Sequence, residues 1–508
     1  MEFIKIAKYF RDGNFSDGLK HSYHPLYPLL ISLVSIPGIG FEISGRLISV
    51  FFGMLSVITV YIFGKKIFEP QVAFVSALLL AFQPYAVRYS ANVWSDPTYS
   101  FFYLLGFGLG YMAIVSKKSG LFFLAGMASA CAYLTRPEGI SIILIVSFWM
   151  IVQLVVGFGK SAWRGNLNRL CLLLAGFLIL SAPYIIYLKH HTHAWTLTQK
   201  KQISNVSGIN MLWNTHGDNQ FFEDASYSQK GAMDDLVDAG KGESSSVGSV
   251  HGETGTGGNS PLPDSVSGQS SGRKYFESFY KVLNTLVITQ QYPFLLFLIV
   301  GVIHTIKIRE NKKVNFYILS YISLFLIILY FLKVTSGYVD YRHLMNVVMV
   351  MLFWTGMGVS NTYNWLMSRV PKRQKYQAGK IFSRTGVVFL CVVVASILPK
   401  TLRSSMDQAI YMDAGIWIKT FYADVPSILT SDPRVIYYTN SQWIETPVKS
   451  SYDEVLKLAK QNNVSLIVVT ENITRHVPDF FLRLNDNDVK ELLALETKNR
   501  KVIVYKVL

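Results

Sequence analysis

The sequence predicts a polytopic α-helical membrane protein that ends in a small α/β domain outside the bilayer. Three observations predict it. Of 508 residues, 51% are hydrophobic and only 16% are charged, where a soluble domain carries about 25%. Apolar runs long enough for a bilayer core of roughly 30 Å, which takes about 20 helical residues, recur through most of the chain. Beyond residue 407 the pattern changes to short β-rich strings around a helical one.

About ten spanning helices are expected, near 44–64, 71–89, 97–115, 120–135, 140–158, 169–188, 285–306, 315–334, 342–366 and 383–399. Residues 24–37 (HPLYPLLISLVSIP) are apolar but short and carry three prolines. They read as an interfacial or re-entrant segment. The basic residues then fall on alternate loops: Lys65/Lys66, Lys117/Lys118, Lys160/Arg164/Arg169, Lys307/Arg309/Lys312/Lys313, and the group from Arg369 to Arg384. Cytoplasmic loops carry the Lys/Arg excess, so that side is cytoplasmic. The opposite side receives 1–43, 90–96, 136–139, 189–284, 335–341 and 400–508.

Orientation also accounts for the net charge of +16, so no nucleic-acid partner is expected. Cys131, Cys171 and Cys391 each lie in an apolar run without a CxxC pair and read as small buried residues. The organisation is a first outer loop (1–43), a transmembrane part (44–399) and an outer domain (400–508). Residues 240–272 are a Ser/Gly-rich stretch that cannot bury a core and reads as disordered. In the tail, MDQAIYMDAGIWIKTFY and SYDEVLKLAKQ read as helices, the second capped by Ser450 or Ser451. SILTS, RVIYYT, VSLIVVT and KVIVYKV read as strands. The tail has no GxGxxG, P-loop or nucleophile elbow, so no chemistry is assigned to it.

Ionisable residues at membrane depth are costly and mark function. Four polar clusters stand at the outer ends of apolar runs. Lys20-His21-Ser22-Tyr23-His24-Pro25-Leu26-Tyr27 is either a phosphate or sugar contact or an interfacial aromatic anchor. Asp96, after Trp94-Ser95, is either a helix-start residue favoured by the dipole or a carboxylate facing a cavity. Arg136 and Glu138 either pair in a tight turn or meet a phosphate, for which the guanidinium fork is suited. Asp340-Tyr341-Arg342-His343 opens a late helix. Arg342 lies on the wrong side to be a positive-inside residue, which favours function. No HExxH or other metal-ligand spacing is present. Sequons at Asn14, Asn205, Asn463 and Asn472 all fall on the outer face.

The order KIAKYFRDGNFSDGL, HPLYPLLISL, ISGRLISVFFGMLSVITVYIFGKKIF, SDPTYSFFYLL, AYLTRPEGI and YRHLMNVV resembles the GT-C superfamily of membrane glycosyltransferases over roughly residues 1–400. The branch most resembled is glycosyltransferase family 39, which contains protein O-mannosyltransferases and the bacterial lipid A aminoarabinose transferase. The tail also resembles the outer domain of bacterial members. The resemblance implies an integral protein of a bacterial inner or plasma membrane. It implies transfer of a sugar from a polyprenyl-phosphate donor to a protein, lipid or glycan acceptor at the outer face, with inversion. It leaves room for a divalent cation but implies no certain cofactor.

By position, Asp96 matches the second outer-loop acidic residue of the family, His24 a phosphate-contacting loop position, and Arg342 the Arg that opens a late helix. Arg136 and Glu138 match a recurrent turn. His21, Tyr27, Asp340, Tyr341 and His343 complete the expected contacts to phosphate or sugar. The family's first-loop Asp falls at or just before Met1, with Glu2 the carboxylate nearest to it, and a helix upstream of Met1 is expected. The alternative function is a truncated, inactive homologue that binds polyprenyl lipid or assists an envelope complex. A transporter is disfavoured because the charges cluster at outer ends and not at mid-bilayer.

Overall fold

The computed structural model describes residues 2–35, 39–156, 160–199, 271–307, 312–336, 339–369, 384–402 and 409–508, the last with short breaks. The Ser/Gly-rich stretch up to residue 270, Asn205, Asn472, Arg309 and most of the basic group between Arg369 and Arg384 lie outside the described residues, while the end of that stretch, 271–272, is helical.

The N-terminal segment is helical. Helices α1 (Glu2–Arg11), α2 (Phe15–Leu19) and α3 (Leu26–Val34) form it. Along α1 the apolar residues Phe3, Ile4, Ile6, Ala7 and Phe10 are buried, while Glu2, Lys5, Lys8 and Arg11 face out. This is the 3.6-residue period of an amphipathic helix. The Phe3 ring meets the edges of Tyr23 and Tyr27 at 4.7 and 5.1 Å, which docks α1 on α3.

The helical body follows as α4 (Phe41–Ile67), α5 (Pro70–Ala81), α6 (Pro84–Ser90), α7 (Asp96–Ser116) and α8 (Ser119–Thr135). A 3₁₀ turn (Pro137–Ile140) leads to α9 (Ser141–Val156) and α10 (Lys160–Thr192). Further along the chain come α11 (Ser271–Gln290), α12 (Tyr292–Lys307), α13 (Lys312–Ser336), α14 (Tyr341–Ser368), α15 (Arg384–Ala395) and α16 (Leu398–Leu402).

Within the described residues each of the ten apolar segments is mainly helical, but the helices differ in reach. Among the described residues, five are long and apolar enough to cross a membrane, or up to seven if each bent pair is one span. Helices 119–135, 137–153 and 384–395 are shorter. The segment 71–89 is not one straight helix. It bends by 58° between α5 and α6, where Pro84 cannot continue the helical hydrogen bonding. The segment 285–306 is broken by 99° at Gln291, whose φ is +70°. Cys171 and Cys391 are exposed on apolar helices, a correction to their reading as buried. Polarizable and apolar, they suit a lipid-facing surface as well as a core.

Two seams show why these helices approach so closely. A Cβ on Gly126 of α8 would collide with the Leu173 carbonyl of α10, and one on Gly176 with the Phe123 carbonyl. Gly301 of α12 and Gly358 of α14 face the Trp354 and Phe297 carbonyls in the same reciprocal way. Small residues at such crossings permit the backbone contact that substitutes for a hydrophobic driving force in lipid.

Residues Arg403–Leu508 belong to a separate compact unit. It contains α17 (Ala409–Phe421), β1 (Ser427–Thr430), α18 (Pro433–Ile436), β2 (Gln442–Glu445), α19 (Tyr452–Gln461), β3 (Leu466–Thr470), α20 (Ile473–His476), β4 (Val489–Thr497) and β5 (Arg500–Val507). The sheet order is β2-β1-β3-β5-β4, with β2, β1 and β3 parallel and β5 antiparallel to its neighbours. Both expected helices form, and Ser451 caps α19 in a capping box with Glu454. The RVIYYT strand does not form. The Asp432 carboxylate accepts from the Arg434 N–H at 3.0 Å, and Pro433 is favoured in a first helical turn, so a short helix begins there. Strands β2 and β4 appear where none is expected.

Candidate functional site

Three chain segments, distant in sequence, meet at one buried cluster. Asp96 is the first residue of α7 and is 4% exposed. Its carboxylate accepts from Arg342 Nη2 at 2.9 Å and Nε at 3.3 Å. Arg136 Nη1 also donates to it. Arg136 Nη2 donates onward to Glu138 Oε1 at 3.2 Å, and His343 Nε2 lies 4.0 Å from the same oxygen. Two guanidinium groups and two carboxylates thus balance in charge. Burial opposes the Arg136 charge, but Glu138 and Asp96 outweigh it and raise its pKa above the ordinary value.

Local chemistry positions each member. Arg136 leaves α8 with extended backbone (φ −152°, ψ 140°), and the turn closes on Gly139, where a Cβ would strike the Ala132–Tyr133 peptide. Ser129 donates to the Gly139 carbonyl at 2.9 Å. Asp340 caps α14, accepting from the Tyr341 N–H at 2.6 Å, while His343 Nδ1 accepts from the Asp340 N–H at 3.4 Å. This aims Arg342 inward, and its guanidinium lies 4.0 Å from the Trp94 ring centroid. Tyr341 stacks on Tyr85 at 5.0 Å, and Lys400 lies 5.4 Å from the Tyr85 centroid.

An apolar cavity of about 340 Å³ adjoins the cluster, between α4, α5, α6, α7 and α14. Met54, Val57, Leu80, Tyr89 and Met349 are among its walls, and Asp96 is the one charged residue in its lining.

The structure therefore brings together Asp96, Arg136, Glu138, Asp340, Tyr341, Arg342 and His343. His21, His24 and Glu2 form another neighbourhood. His21 Nδ1 lies 3.5 Å from Glu2, and burial lowers the imidazole pKa. His24 is buried between the Tyr133 and Tyr184 rings, each at 5.2 Å, with Nε2 3.4 Å from Thr198 Oγ1. Tyr27 joins the two neighbourhoods. Its hydroxyl donates to the Gly45 carbonyl at 3.0 Å and meets Ser49 Oγ at 2.8 Å, and Ser49 donates to the Trp94 carbonyl at 3.0 Å. Sequence reasoning overlooks Trp94 as the seat of Arg342. It also overlooks Tyr99, whose ring lies 5.5 Å from the Arg136 guanidinium. Tyr99 stands at i+3 from Asp96, the spacing that shares a helix face, and that spacing is the available signal.

The described residues do not fit a resident divalent cation. No group of three or more His, Cys, Asp or Glu able to hold a metal occurs among them, and both Asp96 oxygens already face guanidinium groups.

These observations define a multi-pass membrane protein with a charge cluster beside an apolar cavity. The family model described as dolichyl-phosphate-mannose-protein mannosyltransferase matches residues 21–187. Among solved structures, apo ArnT from Cupriavidus metallidurans is similar over 99% of this chain and 92% of its own, at 12% identity and a TM-score of 0.51. The same protein bound to undecaprenyl phosphate is similar over the same shares, at 11% identity and 0.51. The Archaeoglobus fulgidus oligosaccharyltransferase, in complex with Zn and sulfate, is similar over 94% of this chain and 64% of its own, at 12% identity and 0.52. No curated protein matches by sequence. The fold is that of the GT-C superfamily of membrane glycosyltransferases.

Proposed function

We propose that the protein is an inverting glycosyltransferase that moves a sugar from a polyprenyl-phosphate donor to an acceptor hydroxyl at the extracytoplasmic face. The observation that carries this reading is the apolar cavity lined by Asp96, whose carboxylate is held by Arg342 and Arg136. An apolar cavity suits a prenyl tail, and buried guanidinium groups suit a phosphate. The outer-face location rests on the alternation of basic loops. The match to a lipid-phosphate mannosyltransferase family and the likeness to a structure that binds undecaprenyl phosphate support the donor class.

The donor phosphate draws Arg342 away from Asp96 and takes its two donors. One Asp96 oxygen is thereby released, and it accepts the proton of the acceptor hydroxyl. The hydroxyl oxygen forms the new bond to the anomeric carbon as the anomeric carbon–phosphate oxygen bond breaks. The electron pair leaves with the polyprenyl phosphate, and Arg342 and Arg136 meet the charge that develops there. A single displacement inverts the centre.

The test is sugar transfer from labelled polyprenyl-phosphate sugars by protein reconstituted in liposomes. Arg342→Ala should lower the rate by about 10²–10³, the usual loss when one charge-stabilising donor is removed. Asp96→Asn should lower it at least as far. Full activity in both Arg342→Ala and Asp96→Asn overturns the site. Retained binding of polyprenyl phosphate with no transfer by the unaltered protein replaces catalysis by lipid binding.

A further inference from the structure

A second cavity lies at the other end of α14. Ser360 stands 18 residues beyond Arg342, about 27 Å along the helix at 1.5 Å per residue. The cavity is about 120 Å³, far more than the roughly 10–15 Å³ that one water needs. Its walls come from the α4–α5 junction, the end of α12, the start of α13 and the last turns of α14.

The lining is unusual for a helical bundle in lipid. Glu69, His304, Asn315, Ser360, Asn361 and Asn364 contribute to it, with Phe68 as an aromatic wall. Two of these polar groups have no hydrogen-bond partner among the described residues: the Ser360 hydroxyl, in a residue only 6% exposed, and the Asn361 amide nitrogen. Buried polar groups without a protein partner cost free energy unless something else meets them. Amides, a hydroxyl and a carboxylate without any Lys or Arg match a neutral polyol better than a bare anion.

The rim supplies the opposite character. Lys65 and Lys66 end α4, Lys307 ends α12, and Lys312 and Lys313 open α13; all five are exposed. His304 and Thr305 are within one turn of Lys307, and Asn315 within one turn of Lys312. Basic surroundings of a cleft between transmembrane helices attract anionic lipid head groups.

We propose that this cavity binds the head group of an anionic glycerophospholipid, with its glycerol hydroxyls on Ser360, Asn361 and Asn364 and its phosphodiester towards the lysines. The site is independent of the donor site and of its assignment.

The test is thermal unfolding of the full chain in neutral detergent during titration with short-chain phosphatidylglycerol, short-chain phosphatidylcholine or sn-glycerol 3-phosphate. Phosphatidylglycerol should raise Tm by several degrees and saturate, while phosphatidylcholine should not. Asn361→Leu should raise the half-saturating concentration about tenfold or more. Asn364→Ala, at an exposed position with little bearing on folding, should weaken binding in the same direction. Arg342→Ala should leave the titration unchanged. Equal stabilisation by both lipids overturns the proposal, as does a titration unaltered in both Asn variants. Loss of the effect only in Lys312→Ala/Lys313→Ala assigns the binding to a basic surface and overturns the cavity. An equal saturable shift with sn-glycerol 3-phosphate overturns the lipid as source and leaves a soluble polyol phosphate.

Discussion

Asp96 faces two guanidinium groups in a buried setting, so neutralising it leaves both cations beside an amide. Breaking a buried pair by removing one partner costs about 3–5 kcal/mol. Asp96→Asn should therefore lower thermal stability in detergent as well as activity. The double variant Asp96→Asn/Arg342→Gln, which removes one of the stranded cations, should recover part of that loss. A double variant less stable than Asp96→Asn alone would mean that Arg342 is held mainly by Trp94. The charged residues of this cluster are legible in the sequence, because ionisable groups at the ends of apolar runs are rare. Their partnerships are not. Arg342 reaches a carboxylate 246 positions away, and only helix packing decides that. The sequence leaves two roles open for Asp96 and for the Arg136–Glu138 pair. The geometry gives Asp96 a share of both, since it starts a helix and also lines a cavity, and it pairs Arg136 with Glu138 at 3.2 Å.

Gly301 and Gly358 allow α12 and α14 to touch backbone to backbone. Gly358→Val should push the helices apart and reduce recovery of monodisperse protein from detergent, while Gly165→Ala, at a position with open space around it, should be tolerated. Equal recovery of the two proteins would show that the seam does not govern assembly. In the C-terminal unit, Ser451→Ala removes the acceptor for the Glu454 N–H and should cost about 1 kcal/mol. The effect should be read as faster hydrogen exchange confined to residues 452–461. Helices are the more legible elements because their apolar stripes and caps are local. The breaks at Gln83 and Gln291 are harder to read, since they depend on contacts such as the Gln83 side-chain amide donating to the Thr289 carbonyl at 2.9 Å. Strand β4 carries Lys, Glu, Leu and Ala, a helix-favouring composition, and is extended because β5 pairs along it.

Across the molecule, the cavity beside Asp96 is a feature that the sequence does not reveal, because its walls come from five separate helices. If it holds a prenyl tail, Val57→Phe, which enlarges a side chain of its wall, should raise KM for a long-chain donor several-fold. The same change should matter less for a donor with a short tail. Steady-state kinetics on donors of two chain lengths checks this, and identical changes for both would place the tail elsewhere. The balanced quartet of Asp96, Glu138, Arg136 and Arg342 has one further consequence for a protein in an energised membrane. A single unbalanced charge moved through the field is driven by about 2.3 kcal/mol per 100 mV. Four charges that sum to zero and stay together feel no such net force. The field should therefore not drive the resting cluster as a whole across the membrane, and such a net force arises when an uncompensated phosphate enters.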